Sequence, residues 1–478
     1  MFAFRVNSQY TKALGKCKIT VNLMNKKILL MLIFGSFFCA QANAETIFDA
    51  MIHAYNTNPT LHGERATSGA YNEDAAQARS GFRPSVSLQG AYTDNHSNAS
   101  RTGGKGPTVD GHNKTYGGSV RQSIFSGFQT YNSVKAADNS AKAELFNLAN
   151  VEQGVLLEAS TAYLDVVRDE AIVDLQKNNE KLLKKQLDET MARYNVGEVT
   201  RTDVAQAKAS YVQAQSELIS AEGNLAISRA NYLDVVGKEP EQVGFPENLP
   251  TMFPTNYADA LRYAEHNNYA LRAAKKALKA AKYNVNSKTG ALLPEVSFTA
   301  STMKNKASTH TGYDPTTKSN EYTIDVSIPL YTGGSTRASI RKSKYQRWAA
   351  EESLREAENA VRYGVTSGWE MMETTKANIS SIQEQIKASV VALEGTQKEE
   401  ALGNRTVLDV LNAYQAVLVA QVNEVKARHD YYLSGLSLMQ AMGKLTAEKL
   451  NLKVKHYDAR KHYQDSKNKW LSLSIDKD

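Results

Sequence analysis

From Gly197 to Lys238 the chain aligns without a gap on Gly403 to Lys444, at a constant offset of 206 and with 11 identities in 42 positions. Gly197/Gly403, Thr200/Thr406, Asp203/Asp409, Val204/Val410 and Gly237/Gly443 are among them. Solenoid repeats run to about 50 residues, so an offset near 200 predicts a duplicated unit of domain size. Whatever this sequence folds into must set two near-copies side by side.

Within each copy the period of the apolar residues changes in the same order. Helical patterns cover Ile47 to Arg79 and Tyr257 to Lys288, each ending at a proline-marked strand. In Pro84 to Thr93, Val86, Leu88 and Tyr92 alternate with Ser85, Ser87 and Gln89, and Pro294 to Thr302 repeats this with Val296 and Phe298. Period two returns in Tyr116 to Phe125 and in Tyr322 to Tyr331, where Tyr322, Ile324, Val326, Ile328 and Leu330 share a face. The polar stretches between, Asp94 to Thr115 and Lys304 to Glu321, read as exposed hairpin loops. Gly127 and Gly333-Gly334 then introduce two long helical patterns free of proline, Phe128 to Arg193 and Ser335 to Glu400. At 1.5 Å per residue each spans ~100 Å, more than an ordinary globular domain needs. A glycine turn and a second helix follow, Asp203 to Val236 and Asp409 to Met442. Glu239 to Thr255 carries four prolines and reads as the linker, which divides the chain into 1–44, a first repeat at 45–248, a second at 249–450 and a polar tail at 451–478.

Residues 1–44 read as a signal peptide: Lys26 and Lys27 precede the apolar run Ile28 to Ala40, and Ala42-Asn43-Ala44 suits signal peptidase. Met24 would begin a signal of ordinary length. Cys17 and Cys39 both lie inside it, leaving an exported chain with no thiol or disulfide chemistry. Six of the 57 Lys and Arg lie there too, with no acidic residue, leaving 51 basic against 50 acidic side chains. The basic pI is therefore no sign of a nucleic-acid partner. Beyond the signal no apolar stretch approaches the ~18 residues of a membrane-spanning helix, so a bilayer could be crossed only by strands.

Four strands per chain cannot close a transmembrane barrel, for which about eight is the smallest number. Open edges in lipid cost several kcal/mol per unpaired backbone group. Several chains must share one barrel, and periodicity alone leaves two, three or four subunits open.

The sequence resembles the TolC-like outer membrane efflux proteins of Gram-negative bacteria over essentially all of Glu45 to Leu450. The resemblance rests on the duplicated layout, on Gln122-Ser123-Ile124-Phe125 and Ser327-Ile328-Pro329-Leu330-Tyr331-Thr332-Gly333-Gly334, on Ala162-Tyr163, and on the turns running from Arg193 to Val204 and from Ala401 to Leu411. It implies a mixed α/β membrane protein: a homotrimeric 12-stranded outer membrane β-barrel, four strands per chain, continued by a long periplasmic α-helical barrel. It further implies a non-enzymatic exit duct for drugs, bile salts or other toxic small molecules. The implied partners are a periplasmic adaptor protein, an inner membrane RND or ABC transporter and outer membrane lipid. Export of a protein through a type I secretion system is the alternative cargo. A secreted coiled-coil protein would account for the helices but not for the strands, and a passive porin would need more strands per chain.

By the same resemblance the turns at Gly197 and Gly403 form the periplasmic tip, closed at rest. Asp409 then matches an acidic ring at the narrowest constriction, followed one turn later by Asn412 where the family often has a second Asp. That departure predicts weaker cation selectivity and weaker divalent block. The closing links would join Arg405 to Thr202 and position 400 to Asp203, but Glu400 would repel Asp203, which leaves Arg405 to bridge the acids. Val196, Gly197, Leu402 and Gly403 would form adaptor-docking tips. The residues themselves offer a plainer reading, in which Thr200 with Asp203 and Thr406 with Asp409 are helix N-caps. The resemblance favours a pore role for Asp409 and leaves Asp203 open. No metal-ligand spacing, phosphate-binding loop in context or nucleophile motif is present, so the sequence offers no catalytic residue, metal site or cofactor.

Overall fold

The computed structural model describes residues 45–101, 104–309, 314–467, 469–470 and 472–475; the expected signal peptide lies outside them. In chain order the elements are α1 (Ile47–Thr57), α2 (Pro59–Ser80), β1 (Ser85–Arg101), β2 (Gly104–Ser126), α3 (Gln129–Asn195) and α4 (Arg201–Val236). A short 3₁₀ turn at Leu249–Met252 leads to α5 (Tyr257–Asn267), α6 (Tyr269–Gly290), β3 (Glu295–Thr309), β4 (Thr316–Ser327), α7 (Ser335–Ala401) and α8 (Val407–Ala441), with α9 (Ala459–Ser466) last. The second series repeats the first element by element.

Each opening helical pattern is two helices where one was expected. Asn58 caps α2 through Thr60 N at 2.9 Å, with Pro59 as the first helical residue, whose missing N–H costs nothing there. Asn268 does the same for α6 through Leu271 N at 3.0 Å, without a proline. Both asparagines also donate to the end of the last helix of their own copy, Asn58 to Val235 O and Asn268 to Ala441 O. The acceptors are 206 residues apart, so the break is a repeated device that ties the start of each copy to its finish.

The helical hairpins are coiled coils. On α3 the buried positions Asp169, Gln176, Leu183 and Thr190 recur every seven residues, as do Ala207, Ala214, Ala221 and Ser228 on α4. A strict seven-residue period imposes a left-handed supercoil, and small residues on α4 let the backbones approach closely. Both α3 and α7 have 67 residues, or ~100 Å. The shorter α4 and α8 cover only their distal parts, and α6 packs beside α3 and α7 nearer the strands.

The main core lies where α1, α3, α4, α5, α7 and α8 converge, and includes Leu156, Tyr163, Tyr232, Leu249, Leu436 and Leu438. Glu45 is clasped there: its carboxylate accepts from Tyr232 Oη at 2.7 Å and Glu241 N at 3.0 Å, and Tyr163 Oη reaches its carbonyl at 2.8 Å. The linker is thereby pinned to Glu45, at the start of α1.

The strands form one antiparallel sheet in the order β1-β2-β3-β4, so β2 pairs with β3 across the copies as well as each hairpin pairing with itself. The stretches read as hairpin loops are mostly strand, since β1 and β2 run on to Arg101 and from Gly104. Register puts Val86, Val120, Ala300 and Tyr322 in one row and Phe298 with Ile324 in a neighbouring row of the same face, which turns polar only farther out at Thr302 and Asn320, while Ser87, Ser119, Ser301 and Glu321 share a row of the opposite face. One face is therefore apolar and the other polar. A bulge between Ser123 and Phe125 shifts the parity so that Phe125 pairs with Val296 and joins the apolar face. Leu88, Tyr92, Ile124, Tyr322, Ile324 and Val326 stand exposed on the chain alone, and β1 and β4 are unpaired edges. Soluble proteins do not leave such a face and such edges bare.

Candidate functional site: the two hairpin tips

The tips at Gly197 and Gly403 have the same backbone. Gly197 (φ +81°) and Gly403 (φ +78°) adopt left-handed conformations that an L side chain would strain. Gly197 N donates to Tyr194 O and Glu198 N to Arg193 O; Gly403 N donates to Glu400 O and Asn404 N to Glu399 O. Each pair is a Schellman closure, which satisfies the last carbonyls of α3 and α7. The next helices start with reciprocal capping boxes. Thr200 N and Oγ1 donate to Asp203 Oδ2 at 2.8 and 2.7 Å, and Asp203 N to Thr200 Oγ1 at 3.3 Å. Thr406 and Asp409 repeat these bonds at 2.9, 2.8 and 3.2 Å. The Thr406 amide and hydroxyl, with Arg405 nearby, hold the Asp409 carboxyl below the usual carboxylate range. Capping and a pore charge are compatible, because the second oxygen of each Asp is left for other contacts.

Asp409 is half-buried and Asn412 exposed, three residues apart on one face of α8. Val407, Val410 and Leu411 on the other face are buried, and Val407 and Leu411 pack with Leu183 of α3 and Ala214 of α4. This cluster joins the two hairpins just above the tips. Val196 and Leu402, 71% and 78% exposed, present an apolar side chain beside each glycine.

The expected closing links are not the ones found within the chain. Glu400 bonds Arg193, not Asp203, and Arg405 Nε bonds Glu399 at 2.9 Å, not Thr202. The reason is local: the Asp203 carboxylate is turned back into its own cap, while Arg193, at the end of α3, reaches across to the end of α7. Arg193 also holds Glu198 at 3.2 Å, which makes it a bridge between its own turn and the opposite copy. A groove of about 490 Å³ runs beside this link, lined by Thr190, Arg193, Gln397, Glu400, Val410 and Tyr414. Sequence reasoning passed over Arg193 because it stands alone, 207 residues from its partner.

A second inter-copy contact lies farther along the helices. His429 of α8, 7% exposed, sits 3.1 Å from Asp165 of α3 and 2.9 Å from Asp430. Burial would lower its pKa, but the two carboxylates outweigh burial and the opposing Arg168, and raise it above the ordinary histidine value. Arg168 in turn holds Asp165 and Asp169 at 2.7 Å, and Ser228 of α4 bonds Asp169. The cluster ties α3, α4 and α8 together with charge.

The family model described as "OEP: Outer membrane efflux protein" matches residues 53–237 and 260–444, one copy after the other. The chain belongs to the outer membrane efflux protein family. Outer membrane efflux protein BepC of Brucella suis biovar 1 (strain 1330) is 36% identical over 447 residues, 93% of this chain and 95% of that protein. Outer membrane protein TolC of Escherichia coli (strain K12) is 25% identical over 439 residues, 89% and 88% of the two chains. The fold is shared with the crystal structure of the outer membrane protein VceC of Vibrio cholerae, at a TM-score of 0.74 and 17% identity over 83% of this chain and 96% of that one. As a member of this family the protein is an outer membrane duct of tripartite efflux that extends into the periplasm. The apolar sheet face is its lipid-facing wall and the paired helical hairpins its periplasmic part.

Proposed function

We propose that three copies of this chain close one 12-stranded barrel and expel toxic small molecules, drugs and bile salts among them, with a periplasmic adaptor docked on the tips and an inner membrane pump behind it. The observation that carries this is the sheet: four strands, apolar on one face and polar on the other, with both edges unpaired. Only copies of itself can satisfy β1 and β4 while keeping one face to lipid and the other to a water-filled lumen. The repeats at 45–248 and 249–450 each supply two strands and one hairpin. Residues 1–44 are the export signal and 451–478 an appended tail.

At the tip, Asp409 lines the constriction and Asn412 stands one turn along the same face, so the ring carries one acidic residue per chain. The resting closure is held by Arg193 with Glu400, and Arg405 is held back by Glu399 until an adaptor engages. Val196, Gly197, Leu402 and Gly403 are the adaptor-facing residues. Native mass spectrometry of the detergent-solubilised protein tests the copy number, a dimer or tetramer overturning it. Deletion of the gene followed by bile-salt and dye susceptibility tests the cargo, and unchanged susceptibility in every pump background would remove the efflux reading.

A further inference from the structure

The C-terminal tail carries apolar residues that the fold does not use. Trp470 is 70% exposed, yet it is not free: the Arg83 guanidinium lies 4.2 Å from its ring centroid. Arg83 directly precedes Pro84 and the first residue of β1, so Trp470 stands at the helix-side rim of the lipid-facing sheet. It is carried there by α9, whose Tyr463 bonds Asp138 of α3 at 2.8 Å, the same carboxylate that Arg79 of α2 holds at 2.6 Å. Beyond it Leu473 is fully exposed and Ile475 is 76% exposed, while Ser472 and Ser474 alternate with them and bond each other at 2.7 Å.

We propose that Trp470, Leu473 and Ile475 dock into the phospholipid interface of the outer membrane on its periplasmic side, as a collar around the base of the barrel. Continuity with the lipid-facing wall decides the occupant. Phe82, Ile124 and Phe128 stand exposed at the same rim, which Trp470 joins through Arg83. Trp is the side chain best suited to the boundary between acyl chain and headgroup, with its ring in the apolar layer and its N–H in the polar one. Arg83 beside it supplies positive charge for phosphate headgroups. The length fits lying in the interface and not spanning: six extended residues cover ~20 Å at most, against a hydrocarbon core of about 30 Å. Past Trp470, Leu473 and Ile475 alternate with Ser472 and Ser474, which in an extended chain gives these four residues one side for lipid and one for water. This inference needs the barrel to be in the outer membrane, and it is independent of how many chains close it.

The chain has three tryptophans, so Trp348→Phe with Trp369→Phe leaves Trp470 as the only emitter. The full-length exported protein is reconstituted into phosphatidylcholine–phosphatidylglycerol vesicles, with or without bromine on the acyl chains. Bromine near the headgroup end should remove roughly half of the Trp470 emission, as expected for an interfacial ring, and aqueous iodide should remove little. Emission indifferent to bromine but lost to iodide would place the tail in water and overturn the proposal. Indifference to both would place it against another copy of the chain and overturn it equally. Because Trp369 packs edge-on to Tyr257, a second measurement leaves all three tryptophans in place. A nitroxide on Ile475→Cys, the single thiol of the exported chain, should relax faster with oxygen than with a water-soluble nickel complex. The reverse order would count against lipid docking.

Discussion

The tips at Gly197 and Gly403 share a backbone and differ in charge. Both use a Schellman closure and a Thr–Asp capping box, with bond lengths that agree within 0.1 Å. Across the offset of 206, however, Arg193 is replaced by Glu399 and Val199 by Arg405. The ion pair that braces each turn is thus present twice with its polarity reversed, Arg193 to Glu198 in one tip and Glu399 to Arg405 in the other. Arg193 bonds Glu400 as well as Glu198 and so joins the tips. Duplication kept the solution to a backbone problem and let the charges diverge, and it is the divergent charges that a gate can use.

The largest expected effect separates capping from pore function. Asp409→Asn should weaken block of the channel by divalent cations in planar bilayers by about tenfold or more, since like charges ringed in a low-dielectric neck reinforce one another. Asp203→Asn, which alters the same kind of cap, should leave block nearly unchanged. Equal effects would erase the functional difference between the tips. Block by Asp409 should also persist as pH falls through the ordinary carboxylate range, because its pKa is lowered and the charge disappears only below that shifted value.

Next in size is the bridge between the copies. Glu400→Gln should raise resting conductance by a factor of about 5, the equivalent of roughly 1 kcal/mol for a partly exposed pair. Arg193→Glu combined with Glu400→Arg should restore low conductance, and failure of the double variant would show that the pair itself does not close the tip.

The contact at His429 should add a pH dependence on the alkaline side of the ordinary histidine value, where Asp409 stays charged throughout. Its pKa is raised in the folded protein, so the stabilisation is complete below the ordinary histidine value and is lost as pH rises through the higher folded value. The groups that set it are Asp165, Arg168 and Asp169 on α3 and Asp430 on α8, while α4 contributes the uncharged Ser228. Hydrogen exchange at the middle of α8 should accelerate with alkalinity beyond its intrinsic rate, and His429→Gln should abolish that excess. The smallest effect tests the sameness of the tips: Thr200→Ala and Thr406→Ala should each cost about 1 kcal/mol of local stability, read as matching rises in exchange at the first turns of α4 and α8.

Much of this architecture was legible because its signals are local and periodic. The 66-residue proline-free runs became helices of 67 residues, since nothing in them competes with a helical seam. The Asn58-Pro59 break carried its own N-cap signal, but the same break at Asn268 has no proline, and only the backbone shows that the two are one device. The strands were read too short, because past Thr93 and before Tyr116 no apolar alternation marks them, although pairing continues. Both capping boxes could be read from Thr-x-x-Asp. The Arg193–Glu400 bond could not, since it depends on how two distant helices are rotated about their axes. Helix α9 was missed because its only buried large apolar side chain is Tyr463.

The two unpaired edges of the sheet carry a genetic consequence. Each chain in a closed barrel must supply β1 to one neighbour and accept another neighbour at β4, so a chain with one ruined edge still joins through the other. It would consume sound copies in assemblies that never seal. Lesions on an edge, such as proline within Tyr322 to Val326, should therefore behave as dominant alleles when expressed beside the normal gene, whereas lesions that stop the chain from folding should be recessive.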